Sequence, residues 1–429
     1  MQEQTEPFSK RRLISAIFLV AGTCIGGGML ALPVATGISG FFPSIIMMAL
    51  VWLGMTTSAL LLLEVNLWMK EGAHVITMSS TILGPLGKVV SWIVYLFIAY
   101  ASLVAYTAAG GVLVIDGMSS LLNFTVTKEL GCLFFILFFG SVVTIGSYFV
   151  GRVNSILFVG MIGAYFLLIT TGLSETRFDL LLHSNWSTSF LAIPLLLTTF
   201  SFQTMLPSLT PYLKSNARAL RLAVIGGTSL TFIVYFLWQW MVLGIVPVSG
   251  PNSLLKALEV GEPITRFLRE HVKTDYVSSI AEYFAFFALV TSFLGIALGL
   301  KDFLADGLNI SKKGWGQICL GLLLVIPTYI FAAYFDRIFL IALDSSGGFG
   351  DSILNGIMPV LMVWVGRYYL FFPNENSYRV WGGKPLLIAT FAFFICSLIL
   401  ESLVHMGYVC SIFDVCQAFI QEQYQGGGI

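Results

Sequence analysis

Charge is what this chain has least of. Only 10% of its 429 residues are Asp, Glu, Lys or Arg, against about 25% in soluble domains. A water-soluble fold of this size could not cover its surface with so little charge. The two signs balance at 22 each, so net charge points to neither a nucleic acid nor an acidic partner. Histidine is scarcer still: His74, His183, His271 and His405 are dispersed along the chain. That dispersal argues against a histidine relay and against a membrane-embedded enzyme, which would need His, Asp or Glu clustered at one depth. The six cysteines, Cys24, Cys132, Cys319, Cys396, Cys410 and Cys416, lack the paired spacing of a metal site. Cys410 and Cys416 are close enough in sequence to pair, but no disulfide framework holds this fold. There is no Walker-type phosphate loop, which argues against direct ATP hydrolysis.

What the chain has in abundance is apolar residues, 57% of the total. A bilayer needs roughly 20 apolar residues per helix. The runs predict eleven spans, over 13–35, 42–69, 88–118, 130–150, 153–173, 190–213, 221–246, 279–301, 316–335, 338–366 and 385–405. Helices are the reading that lipid allows, because no water satisfies free backbone groups there; a β-barrel would show short alternating segments instead. Lys10, Arg11 and Arg12 precede a first run that continues to Val34, too long for a cleaved signal core. With residues 1–12 in the cytoplasm and the spans alternating, fifteen of the 22 Lys and Arg, from Lys10 to Lys384, fall on the cytoplasmic side. That is the positive-inside bias. It places the tail, 406–429, outside, and makes 247–278 a long external loop with helical content. No separate soluble domain is present.

Two spans are poor helices near their middles. The first reads Gly22-Thr23-Cys24-Ile25-Gly26-Gly27-Gly28, four glycines within seven residues. Each glycine costs a helix about 1 kcal/mol relative to alanine. Two readings are open here. Gly22 and Gly26 fit small-residue helix packing. Alternatively the helix is interrupted, which bilayer depth tolerates only where the break is buried in protein or lines a wet cavity. A break offers free N–H groups to a carboxylate and free carbonyls to a cation. The sixth span decides between them. It carries Phe200-Ser201-Phe202-Gln203-Thr204 mid-span, just before Pro207, which removes a helix hydrogen bond. Two interrupted spans five apart are the sequence pointer to an inverted-repeat transporter. Spans 1–5 (13–173) and 6–10 (190–366) then form two inverted copies, with 385–405 as an eleventh helix.

The segment from Gly22 to Pro33 resembles the first-span motif of the bacterial aromatic (hydroxy) amino-acid permease family, to which tyrosine- and tryptophan-specific permeases belong. Ser201–Leu213, Thr291-Ser292-Phe293-Leu294-Gly295 and Gly347-Gly348-Phe349 onward to Gly366-Arg367-Tyr368 resemble later motifs of the family. The resemblance implies an all-α polytopic membrane protein with a leucine-transporter-like 5+5 inverted repeat plus one helix. It also implies a bacterial inner membrane and an amino-acid substrate. One departure is that enteric members carry histidine where Gln203 stands.

A zwitterionic amino acid presents a carboxylate, an ammonium and a side chain. Gly26, Gly27 and Gly28 would supply N–H groups to the carboxylate, and the resemblance agrees. Carbonyls at Thr23, Cys24, Phe200 and Ser201 would accept from the ammonium. Gln203 and Thr204 would reach a phenol, and Phe202, Tyr106 and Phe200 would shape an apolar pocket. Uphill transport requires a coupled ion, H+ or Na+. The adjacent hydroxyls Thr291 and Ser292, with carbonyls matching Gly22, Ile25 and Ala288, resemble the sodium site of the wider fold. The bland reading is that such hydroxyls bond back to the preceding turn. Intramembrane carboxylates are suspect by default. Glu64 is the leading one, either proton-linked or bonded to the broken backbone of span one; Glu282 and Asp344 are others, and Asp116 and Glu401 lie near solvated ends. No organic cofactor is expected. The reading is a secondary active importer of an aromatic amino acid, tyrosine favoured, with tryptophan or another neutral amino acid as the alternative. A channel would need a filter-like repeat, and none is visible.

Overall fold

A computed structural model describes residues 10–69, 73–122, 127–145, 147–272, 275–372 and 378–415. Among them the chain is helical throughout, with no strand. The helices are α1 (Lys10–Cys24), α2 (Gly28–Thr36), α3 (Phe41–Trp68), α4 (Val75–Leu122), α5 (Lys128–Ile145), α6 (Ser147–Gly172), α7 (Phe178–Leu181), α8 (Ile193–Thr199) and α9 (Leu206–Tyr212). There follow α10 (Ala217–Ile245), α11 (Leu254–Val260), α12 (Ile264–His271), α13 (Asp275–Gly307), α14 (Trp315–Tyr334), α15 (Ile338–Ser345), α16 (Met358–Tyr368) and α17 (Gly383–His405). A π-helical segment, Ser346–Ile357, joins α15 to α16.

Nine helical stretches among the described residues are long and apolar enough to cross a membrane, and α1 with α2, bent by 57° at their break, make a tenth. The 18-residue α5 stands where the sequence predicts span four but is not among these, so the described residues show nine or ten spans against the eleven expected. Span three begins close to its predicted start at 88. Gly84, at φ 73° and followed by Pro85, breaks α4, so Val75–Leu83 is a separate helical stretch ahead of the span. Ser91 Oγ donates to Ser79 Oγ at 2.7 Å and ties that stretch back onto it. The expected external loop carries α11 and α12. Lys70, Cys416 and the glycine-rich tail lie outside the described residues.

The outer surface is apolar. Ile156, Val159 and Phe166 on α6 and Phe138 on α5 are more than 60% exposed, as a lipid-facing belt requires. In lipid, apolar burial does not drive helices together, so small residues that let backbones approach closely must contribute. A Cβ at Gly227 of α10 would stand 2.5 Å from Val20 of α1, and one at Gly111 of α4 would stand 2.7 Å from Cys132 Sγ of α5. In the interior, α13 packs on α4 and α6, α10 on α1 and α3, and the π segment on α8, α4 and α17. All of α2 is buried, whereas α1 exposes Ile14, Phe18 and Leu19.

Two carboxylates stand differently from their sequence reading. Glu64 does not bond the backbone of span one. Its carboxylate takes a bidentate pair from Arg367 of α16, Nε to Oε1 at 2.7 Å and an η nitrogen to Oε2 at 2.5 Å, and the N–H of Val380 at 2.8 Å. Both side chains are at most 4% exposed. Arg367 lies at the same end of the bundle as the C-terminus of α3, so a charge pair is closer to hand than the midplane break. Glu401 is not solvated: it is buried on α17 against Gly348, 3.4 Å from His405 Nδ1.

Candidate functional site

The first break spans Ile25, Gly26 and Gly27. α1 ends with the Ile25 N–H still bonded to Ala21 at 2.8 Å. The next helix opens with tight turns, Met29 N–H to Gly26 O at 3.0 Å and Leu30 N–H to Gly27 O at 3.1 Å. The Gly27 N–H leaves the helical ladder and donates to Ser292 Oγ of α13 at 3.1 Å. Glycine is required here by close approach. A Cβ at Gly26 would collide with Ser292 Oγ, and one at Gly27 would stand 2.5 Å from the Tyr106 ring.

The second break spans Phe200–Phe202, between α8 and a 3-10 turn at Gln203–Met205 that leads into α9. Phe200 and Ser201 close α8 with bonds to Leu197 and Thr198, both at 3.2 Å. The Phe202 N–H is capped by Gln203 Oε1 at 2.9 Å, while Gln203 Nε2 donates to Met55 O at 3.3 Å. Ser201 Oγ donates to Asp351 Oδ1 at 2.7 Å. Tyr235 of α10 joins the two breaks: its hydroxyl lies 2.7 Å from the Cys24 carbonyl and 2.9 Å from that of Thr199.

Where the breaks meet there is a cavity of about 420 Å³. Gly22, Thr23, Cys24, Gly26 and Gly28 line it from span one, and Thr198, Ser201, Thr204 and Met205 from span six. Tyr95, Ser102 and Tyr106 of α4, Asn154 and Phe158 of α6, and Thr291, Ser292 and Gly299 of α13 form much of the remaining wall. The residues that α4, α6 and α13 contribute lie mostly in the halves nearer the end of the bundle where α1 begins, so the cavity runs from the breaks toward that end. The other end is shut. Trp238 Nε1 donates to Met29 O at 2.9 Å, the Asn185 N–H donates to Ser39 O at 2.8 Å, and α11 and α12 pack on α2.

Some residues expected at the site stand elsewhere. Phe200 is buried edge-to-face on Tyr235, and Phe202 is buried in a cluster with Leu206 and Leu209; neither lines the cavity. Gln203 is fully buried and caps the break instead of facing a substrate. The aromatic lining comes from Tyr95, Tyr106 and Phe158. Thr291 Oγ1 bonds back to Phe287 at 2.7 Å and Ala288 at 3.2 Å, so of the pair Ser292 alone reaches span one. Ile25 and Ala288 do not line the cavity, whereas Gly22 does. The sequence reading passed over Asp351, a buried carboxylate in the cavity wall. Its signal was available: an acid two residues after Gly347-Gly348-Phe349, mid-span.

Two broken spans facing one midplane cavity define a carrier scaffold. The crystal structure of MhsT in complex with L-phenylalanine has the same architecture, with a TM-score of 0.60 over 92% of this chain and 98% of that one at 14% identity. The fold is thus the leucine-transporter-like one expected from the sequence. The tryptophan/tyrosine permease family model matches residues 9–401, and the chain belongs to that family. The tyrosine-specific transport system 1 of Haemophilus influenzae is 31% identical over 88% of this chain and 93% of its own length. The tryptophan-specific transport protein of the same organism is 28% identical over 93% and 97%. The low affinity tryptophan permease of Escherichia coli is 27% identical over 91% and 95%.

Proposed function

We propose that the protein is a secondary active importer of an aromatic amino acid, tyrosine favoured, working by ion-coupled symport and alternating access. The observation that carries this reading is the convergence of both helix breaks on one cavity of about 420 Å³, within the ~300–1,000 Å³ of small-molecule sites. The relatives named for tyrosine and tryptophan support the substrate class, as does the complex that MhsT forms with L-phenylalanine.

In this reading the substrate carboxylate faces Gly26 and Gly28 at the positive end of α2, with Gly27 held in place by Ser292. Carbonyls of the broken stretches at Thr23 and Ser201 accept from the ammonium; that of Cys24 is already engaged by Tyr235. Tyr106, Phe158 and Tyr95 flank the ring, and Thr204 meets its polar end. Residues 13–173 and 190–366 act as the two inverted halves, with 385–405 appended. The basic bias makes the open end cytoplasmic, together with residues 1–12, and puts the tail 406–429 outside in a bacterial inner membrane. The coupled ion is H+ or Na+. A sodium site built on Gly22, Ile25, Ala288, Thr291 and Ser292 would have to recruit hydroxyls that already hold other bonds.

The test is counterflow of labelled tyrosine in proteoliposomes, with all twenty amino acids as competitors. Saturable counterflow blocked best by aromatic amino acids is expected. If tyrosine neither enters nor competes, the aromatic assignment is wrong, and single-channel currents would remove the carrier reading itself.

A further inference from the structure

We propose that Asp351 is the group through which this carrier is coupled to protons. The inference rests on the carrier reading above and goes beyond it by naming the ion and the residue that binds it.

Asp351 sits within the π-helical segment between α15 and α16, a backbone irregularity of the kind found frequently at functional sites. It is the one charged side chain among the residues lining the cavity. Its Oδ1 accepts from Ser201 Oγ at 2.7 Å and from Asn355 Nδ2 at 2.6 Å, and Asn355 Nδ2 also lies 3.0 Å from Ser201 Oγ. Oδ2 has no partner and essentially no accessible surface, and the nearby Ser346 Oγ is likewise buried without a partner. An ionised carboxylate so enclosed is costly unless a cation joins it.

Three cations compete for that role, and the geometry separates them. A substrate ammonium cannot reach an oxygen with no surface open to the cavity. A metal ion needs a shell of about six oxygens; the unpartnered ones here are three, Asp351 Oδ2, Ser346 Oγ and Asn355 Oδ1, while Asp351 Oδ1 is held by a hydroxyl and an amide that both point hydrogens at it. A proton needs neither room nor a shell. The neighbouring elements bring no cation of their own. On α4, Tyr106 and Tyr95 share the cavity wall; on α3, Glu64 is committed to Arg367 of α16; on α17, Glu401 abuts Gly348 beside His405. The carboxylate Asp344 lies seven residues earlier, on α15, and α8 contributes no titratable group.

The step balances simply. Ser201, which faces both the cavity and Asp351, passes its hydroxyl proton to the carboxylate and regains one from a hydronium ion in the cavity, which leaves as water. The carboxylate becomes neutral. Ser201 belongs to the break of span six, and Thr199 beside it touches the position of a Cβ on Gly28 at 3.5 Å. Neutralising Asp351 therefore changes the bond that ties the substrate wall to the π segment, which is what coupling requires.

The experiment uses the full-length protein in sodium-free proteoliposomes and measures labelled tyrosine in two modes. One mode is accumulation driven by an imposed pH gradient; the other is tyrosine–tyrosine exchange without a gradient. Wild type is expected to do both. Asp351→Asn is expected to lose gradient-driven accumulation by about tenfold or more while exchange stays within about twofold. If D351N accumulates like wild type, or loses exchange to the same degree as accumulation, the inference is overturned while the carrier reading stands. In a parallel preparation with an imposed sodium gradient at equal pH, wild-type accumulation there and none with the pH gradient overturns it equally. A wild type that exchanges no amino acid overturns the carrier reading and this inference with it. If D351N does not reach the membrane, Asp351→Glu decides: a pH midpoint of uptake displaced from wild type supports the assignment, and an unchanged midpoint overturns it.

Discussion

The two breaks do the same thing to a membrane helix by opposite means. The first is made by leaving side chains out. Gly26 and Gly27 allow Ser292 and Tyr106 to come so close that any Cβ would collide with them. The second contains no glycine. Its irregular backbone is held by side chains supplied by itself and by other spans: Gln203 caps Phe202, Ser201 reaches Asp351, and Tyr235 reaches Thr199. A break made by omission is visible as composition. One held by partners depends on residues far away in the chain, such as the 150 positions between Ser201 and Asp351. The difference also suits function, because a break held by titratable or polar partners responds to what those partners bind.

The largest expected effect comes from filling the first break. Gly27→Leu drives atoms into Tyr106 and Leu289; uptake of labelled tyrosine should be abolished with membrane abundance unchanged. Retained uptake would remove the glycine break from the substrate site. Next is a control outside both breaks. Glu64→Gln leaves Arg367 buried with half a partner, and breaking such a pair costs about 3–5 kcal/mol. A large drop in thermal stability in detergent is expected, with the substrate affinity of the folded fraction unchanged; weakened affinity at full stability would return Glu64 to the transport site.

The second break should yield to loss of its cap. Gln203→Leu leaves the Phe202 N–H unsatisfied in the interior, a penalty of about 1–3 kcal/mol. Reduced uptake and reduced stability together are expected, and a stability change without any effect on transport would show that this break is scaffold alone. The smallest effect is expected from separating the breaks. Tyr235→Phe removes one hydroxyl shared between Cys24 and Thr199, about 1 kcal/mol of net bonding. Because it touches both breaks it should move the rate of exchange more than the stability. The reverse pattern would mean that the breaks move independently.

The first break could be read directly from Gly22 and Gly26–Gly28, and the second from Ser201, Gln203 and Pro207. The bounds of most spans were legible too, because lipid demands length and apolarity of every crossing helix. Side-chain direction was not. On either side of a break the helical periodicity no longer says which way a residue points, so Phe200, Phe202 and Gln203 were placed in the pocket and stand in the packing around it. What the apolar runs did not show is the separate helical stretch Val75–Leu83, which Gly84–Pro85 sets off ahead of span three by a kink.

By itself the sequence determined that this chain is built of membrane-spanning helices and which two of them fail as helices. Those follow from local properties, namely hydropathy, glycine and proline. Only the tertiary structure decided what each break is for. It paired Glu64 with Arg367, gave Ser292 to Gly27, bonded Thr291 back to its own helix, and brought Asp351 to Ser201. Hydrogen-bond partners in a dry interior are chosen by which helices face each other, and that choice is made only when the spans pack.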